Sequence, residues 1–310
     1  MLARVAVVAF NTYREAVRAR ILHGLFALAL GTLGYALVVG AFAVRNTMRA
    51  VSDLGAASIS LYGIAVAIML GATTLYRELE LKTIFPILTR PLRRGEYLVG
   101  KYLGSLMTLW VFIAANTGVL LLALAHLAGR PLWQVLAVGL GSLAAVLLLA
   151  WRKARWRTLL PLPWSVALLV AGWFLADGAG DERRVVFGLA VLTFFEVAIV
   201  AALATLFASF SSPFLTTTYT FGMFLIGRSA DTLARLPSRV FGETAKDVGS
   251  VLSKVVPNLM LYVPSRPLLT GEQPGVSLGA YIGSAGGQAV AWSIALLAVA
   301  ALVFRRRDFL

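Results

Sequence analysis

Apolar residues run through this chain in long, nearly unbroken stretches, and short clusters of charge separate them. The opening segment, Met1 to Ile21, is patterned differently. Leu2, Val5, Ala6, Ala9, Tyr13, Val17 and Ile21 recur at helical spacing, with Arg4, Arg14, Glu15 and Arg18 elsewhere around the helix. That predicts an amphipathic helix lying in a membrane surface. Apolar stretches follow at 22–44, 54–75, 102–127, 132–151, 159–176, 185–208 and 278–304. As helices they are long enough to cross the hydrocarbon core of a bilayer, the fifth being the shortest. The run at 214–227 is shorter still and predicts a broken or re-entrant helix, completed by residues beyond Arg228. The pattern therefore predicts an all-α polytopic membrane protein of about eight spans, within a range of six to eight, in one transmembrane domain over 1–310.

Two polar intervals stand out. The first, Tyr76 to Lys101, holds Arg77, Glu78, Glu80, Lys82, Arg90, Arg93, Arg94, Glu96 and Lys101, with apolar residues threaded through it. Thr83 can cap a short helix there, Pro86 falls in its first turn, and Pro91 disfavours helix at Arg90. A helix of about two turns, Ile84 to Thr89, is predicted. The second interval, 228–277, is the longest polar stretch and is punctuated by Pro237, Pro257, Pro264, Pro267 and Pro274. It is expected to be an extracytoplasmic loop, with Val248 to Leu261 as an amphipathic helix on the outer surface.

Composition agrees with a membrane protein and narrows the chemistry. Of 310 residues, 59% are hydrophobic and 14% charged, more apolar surface than a soluble domain hides. The net charge of +14 follows from positive-inside bias and anionic lipid, so no nucleic-acid partner is needed. Without cysteine there is no disulfide, thiolate ligand or cysteine nucleophile, and two histidines argue against a histidine metal centre. No cofactor is expected. Arg14, Arg18 and Arg20 interrupt the first apolar run, unlike a cleavable signal peptide. With the N-terminus cytoplasmic, seventeen Lys and Arg fall on inner segments and five on short outer loops. Both termini are thus predicted to be cytoplasmic, and 76–101 with them.

Gly95 to Lys101, GEYLVGK, has the spacing of a phosphate-binding loop. Tyr102 stands where Ser or Thr would hold magnesium, and no strand precedes it, so nucleotide binding is excluded. The chain is not expected to be an enzyme. Glu196 is the only acidic residue deep inside a predicted span. Such a carboxylate lines a substrate path, hydrogen-bonds a neighbour such as Asn116, or stays protonated. Asn116 by itself reads as glue between helices, and His126 as interfacial. Trp133, Trp151, Trp156 and Trp164 fall near membrane boundaries, where tryptophan anchors. Gly275, Gly279, Gly283 and Gly287 recur every four residues. The stripe suits close helix packing, within the chain in preference to a dimer seam.

A surface helix, two spans, then E-x-x-T-x-x-x-L-x-x-P-x-x-R with a following G-K resembles the permease subunit of type-2 ABC transporters. The residues are Glu80, Thr83, Ile87 to Leu88, Pro91, Arg94, Gly100 and Lys101. The likeness is to the nitrous-oxide-reductase-maturation and gliding-motility type, and ALATLFASFSS (Ala202 to Ser212) and the terminal FRRRDF resemble the same family. The extra pair of spans at 132–176 departs from that family's usual six. The resemblance implies a homodimer of permeases in a bacterial-type inner membrane, each docked on a separately encoded ATPase that hydrolyses the ATP. Ile84 to Thr89 would be the coupling helix, with Glu78, Glu80, Thr83, Ile84, Phe85, Ile87, Leu88, Arg90, Arg93 and Arg94 at the docking surface. The other readings are an ion-coupled secondary transporter, a non-transporting membrane scaffold and a membrane-embedded enzyme. Glu196 alone makes the last weak.

Overall fold

Inside a bilayer no water is at hand for peptide N–H and C=O groups, so an apolar run closes its hydrogen bonds within itself and becomes a helix. The computed structural model describes residues 2–43, 46–80, 93–153, 156–234, 256–272, 275 and 277–305. In chain order its helices are α1 (Leu2–Arg18), α2 (Arg20–Phe42), α3 (Thr47–Glu80), α4 (Arg94–Leu127) and α5 (Leu132–Arg152). Then come α6 (Pro161–Leu175), α7 (Asp181–Ala208), α8 (Pro213–Ala234), α9 (Arg266–Thr270) and α10 (Leu278–Arg305). Among the described residues there is no strand, and seven helices, α2 to α7 and α10, are long and apolar enough to cross a membrane. The chain is an all-α, multi-pass membrane protein.

α4 and α7 form the centre. Every residue from Val197 to Ala204 is buried, so α7 is covered on all sides. α3, α8 and α10 pack around it. α6 lies against α4 where Gly172 meets Gly118; a Cβ on Gly172 would stand 2.8 Å from the Gly118 carbonyl oxygen. α5 is the outermost helix, with Val135 its one buried residue. Trp164 of α6 donates to the Ser142 hydroxyl at 3.1 Å and ties α5 to the bundle. The pair at 132–176 is therefore two full helices, one packed on the core and one apolar all round, as a lipid-facing helix is.

Several boundaries differ from the sequence expectation. The helix at 1–21 breaks at Ala19, which is extended (φ −68°, ψ 125°), and α2 begins at Arg20. Val5, Ala9 and Tyr13 are buried as expected, together with Thr12 and Ala16, while Ala6 is exposed. That face sits on α4 and not solely on lipid, because Gly100 and Gly104 let α1 approach: a Cβ on Gly100 would lie 2.6 Å from Val8, and one on Gly104 2.6 Å from Thr12. α4 starts at Arg94, eight residues before the predicted span, so GEYLVGK is helix. α8 runs without a break past Arg228 to Ala234 and is about 33 Å long. Arg228 thus belongs to a helix and not to a loop. Leu259–Tyr262 is a 3-10 turn, not the end of an amphipathic helix, and the rest of the expected helix over 248–255 lies outside the described residues.

The glycine stripe is also corrected. Gly275 precedes α10 with φ +87°, and a Cβ on Gly279, Gly283 or Gly287 would meet nothing within 4 Å. Packing within the chain falls instead to Gly286, where a Cβ would stand 2.9 Å from the Phe195 ring.

The two ends of the bundle are held by different contacts. At one end the Arg94 guanidinium donates to the carbonyls of Phe304 (3.2 Å) and Arg305 (3.0 Å), the last turn of α10. This satisfies acceptors that a helix end leaves open. Lys101 pairs with Glu15 there at 3.8 Å. At the opposite end Arg266 pairs with Asp53 at 2.7 Å and with Glu182, which also accepts from Ser52. The segments grouped at each end are those that the charge count groups on one side.

Candidate functional site

The site is built on three helices at membrane depth. Glu196 lies midway along α7 with 1% of its side chain exposed. A lone carboxylate there is costly, and it is retained here by an arginine. Arg228 Nε donates to Oε1 at 2.8 Å and Nη2 donates to Oε2 at 2.8 Å, a two-bond fork. The same Nη2 donates to Ser60 Oγ of α3 at 3.3 Å. The guanidinium also rests over the Phe224 ring, one turn earlier on α8, at 5.4 Å. α3, α7 and α8 are thus tied through one charged cluster.

Above the cluster is a cavity of about 450 Å³, lined by Ala57, Ser60, Leu61, Thr193, Phe224 and Arg228 among others. Arg228 lies between the cavity and Glu196, which does not line it. Asp53 stands at its upper margin, two turns from Ser60 on α3, joined to Arg266 and, at 3.7 Å, to Arg49. Tyr262 closes one side and donates its hydroxyl to the Ala285 carbonyl at 3.2 Å. Burial first, and then the negative charge of Glu196, push the Tyr262 phenol up, so it stays a neutral donor. The 256–262 segment is held on α8 at Gly227, where a Cβ would stand 2.9 Å from the Pro257 carbonyl oxygen.

The sequence-predicted residues divide. Glu196 is in the site. Asn116 does not hydrogen-bond it; its amide donates to the Phe112 carbonyl one turn back on α4 at 2.8 Å. Of the docking residues, Thr83, Ile84, Phe85, Ile87, Leu88 and Arg90 lie outside the described residues, and Glu78 and Glu80 are described by backbone alone, at the end of α3. Arg93 precedes α4 and Arg94 opens it. Arg228 and Ser60 were missed as site residues. The signal for Arg228 was its position directly after an apolar run that was too short to span without it.

A second cavity, of 540 Å³, lies between α4, α7 and α10 and is almost wholly apolar, so it offers packing but little chemistry. Among the described residues, no group of three His, Cys, Asp or Glu could hold a metal ion. No protein-family model and no curated protein matches the chain. The fold and the site define a multi-pass membrane protein with a charged, three-helix cluster beneath a cavity.

Proposed function

We propose that this chain is the transmembrane permease subunit of an ABC transporter, working in export as a homodimer in a bacterial-type inner membrane. It docks on a separately encoded ATPase through 76–101, with both termini cytoplasmic. The observation that carries the reading is the order Glu80, Thr83, Pro91, Arg94, Gly100, Lys101 across the junction of two 34-residue helices. Glu80 ends α3, Thr83 and Pro91 fall between, and Arg94, Gly100 and Lys101 lie in the first turns of α4. Helices of that length act as levers. Ser60 is twenty residues from Glu80, about 30 Å along α3. A push on the segment between α3 and α4 would therefore reach the Glu196–Arg228 cluster, which would line the substrate path. Arg94, tied to α10, would spread the same push to the last helix. Charged residues in 76–101 would set docking register and on-rate.

The test is co-purification with the candidate ATPase, comparing wild type with Ile84→Asp plus Leu88→Asp. The reading expects the pair to co-purify and the variant to lose the ATPase while still inserting in the membrane. Equal retention by the variant would contradict it and move the ion-coupled transporter ahead.

A further inference from the structure

We propose that the cavity above Arg228 binds an amphiphile whose head is an anionic oxygen acceptor, a carboxylate or phosphate, and whose body is hydrocarbon. Two of the three guanidinium nitrogens of Arg228 are used by Glu196 and Ser60. Nη1 has no hydrogen-bond partner among the described residues, and Arg228 keeps 27% of its side chain exposed while lining the cavity. The inner end of the cavity thus offers donors. The acceptors nearby are engaged: Glu196 by Arg228, and Asp53 by Arg266 and Arg49. Among the described residues that line the cavity, a cationic head would find no free carboxylate and would face a guanidinium. The remaining walls, Leu61, Ile64, Leu189 and Phe224, suit a hydrocarbon chain, and 450 Å³ is within the usual range of small-ligand sites.

This deepens the reading of the cluster as part of a substrate path, yet binding needs no ATPase. Purified full-length chain in a neutral maltoside detergent is titrated with laurate, dodecyl phosphate, dilauroyl phosphatidate and dodecyltrimethylammonium, and adducts are counted by native mass spectrometry. One saturable adduct per chain is expected with the anionic amphiphiles and none with the ammonium. Tighter capture of phosphatidate would assign the site to a lipid headgroup, and tighter capture of laurate to a free acid. Ala57→Trp and Leu61→Trp each fill the cavity and leave the ion pair intact; a folded one is expected to bind at least about tenfold more weakly. Arg228→Lys, which lacks the guanidinium edge, is expected to lose the preference for anions. Equal adducts with the ammonium amphiphile, or unchanged binding by the filled cavity, would overturn the proposal. Neither result bears on ATPase co-purification, so the two readings fail separately.

Discussion

Arg228 and Glu196, on neighbouring helices, share two hydrogen bonds of 2.8 Å, and the carboxylate is almost completely shielded beneath the guanidinium. Ser60 adds a contact from a third helix, so the pair fixes α3, α7 and α8 against one another.

Removing one partner leaves the other charge buried and alone. Arg228→Ala is expected to lower stability by about 3–5 kcal/mol, read as a fall in the thermal midpoint of the detergent-solubilised protein. Glu196→Leu with Arg228→Met should recover much of that loss, because no uncompensated charge remains. A single variant as stable as wild type would show that the pair does not hold the helices.

α1 is seated on α4 through two glycines. Gly104→Leu should displace it, since the new side chain would run into Thr12 and the Ala9 backbone. The cost expected for such overpacking is about 1–3 kcal/mol. Limited proteolysis checks it: faster cleavage within 2–18 is the predicted result.

On α10 two glycines three residues apart should behave differently. Gly286→Val meets the Phe195 ring and is expected to cost about 1–3 kcal/mol. Gly283→Leu points into open space and should change stability by less than about 0.5 kcal/mol. Thermal unfolding of the two variants side by side decides it.

Because the chain has no cysteine, single introduced cysteines report sidedness without background. With the orientation proposed above, Arg130→Cys and Asp177→Cys should react with a membrane-impermeant maleimide in intact cells. Lys153→Cys should react only after permeabilisation.

The helices were legible because a bilayer imposes one strong constraint, and apolar runs such as 185–208 report it directly. Glu196 was legible for the converse reason, as a charge where none is cheap. Its partner was not. A short apolar run made Arg228 look like the start of a loop, whereas pairing with Glu196 lets the helix continue through it. The glycine stripe misled because four-residue spacing gives a face but not what lies opposite: Phe195 lies against Gly286, one residue off the stripe. The break at Ala19 carries no proline or glycine and left no mark in the pattern.

The central claim is that 76–101 meets an ATPase, and a photo-cross-linker placed at Leu88 tests it most directly. With p-benzoyl-phenylalanine at that position, intact cells are irradiated and adducts of the purified chain are identified by mass spectrometry. The account predicts a cross-link to an ATPase carrying a phosphate-binding loop, lost when Ile84→Asp is added. Adducts to lipid alone, with no ATPase captured, would contradict it.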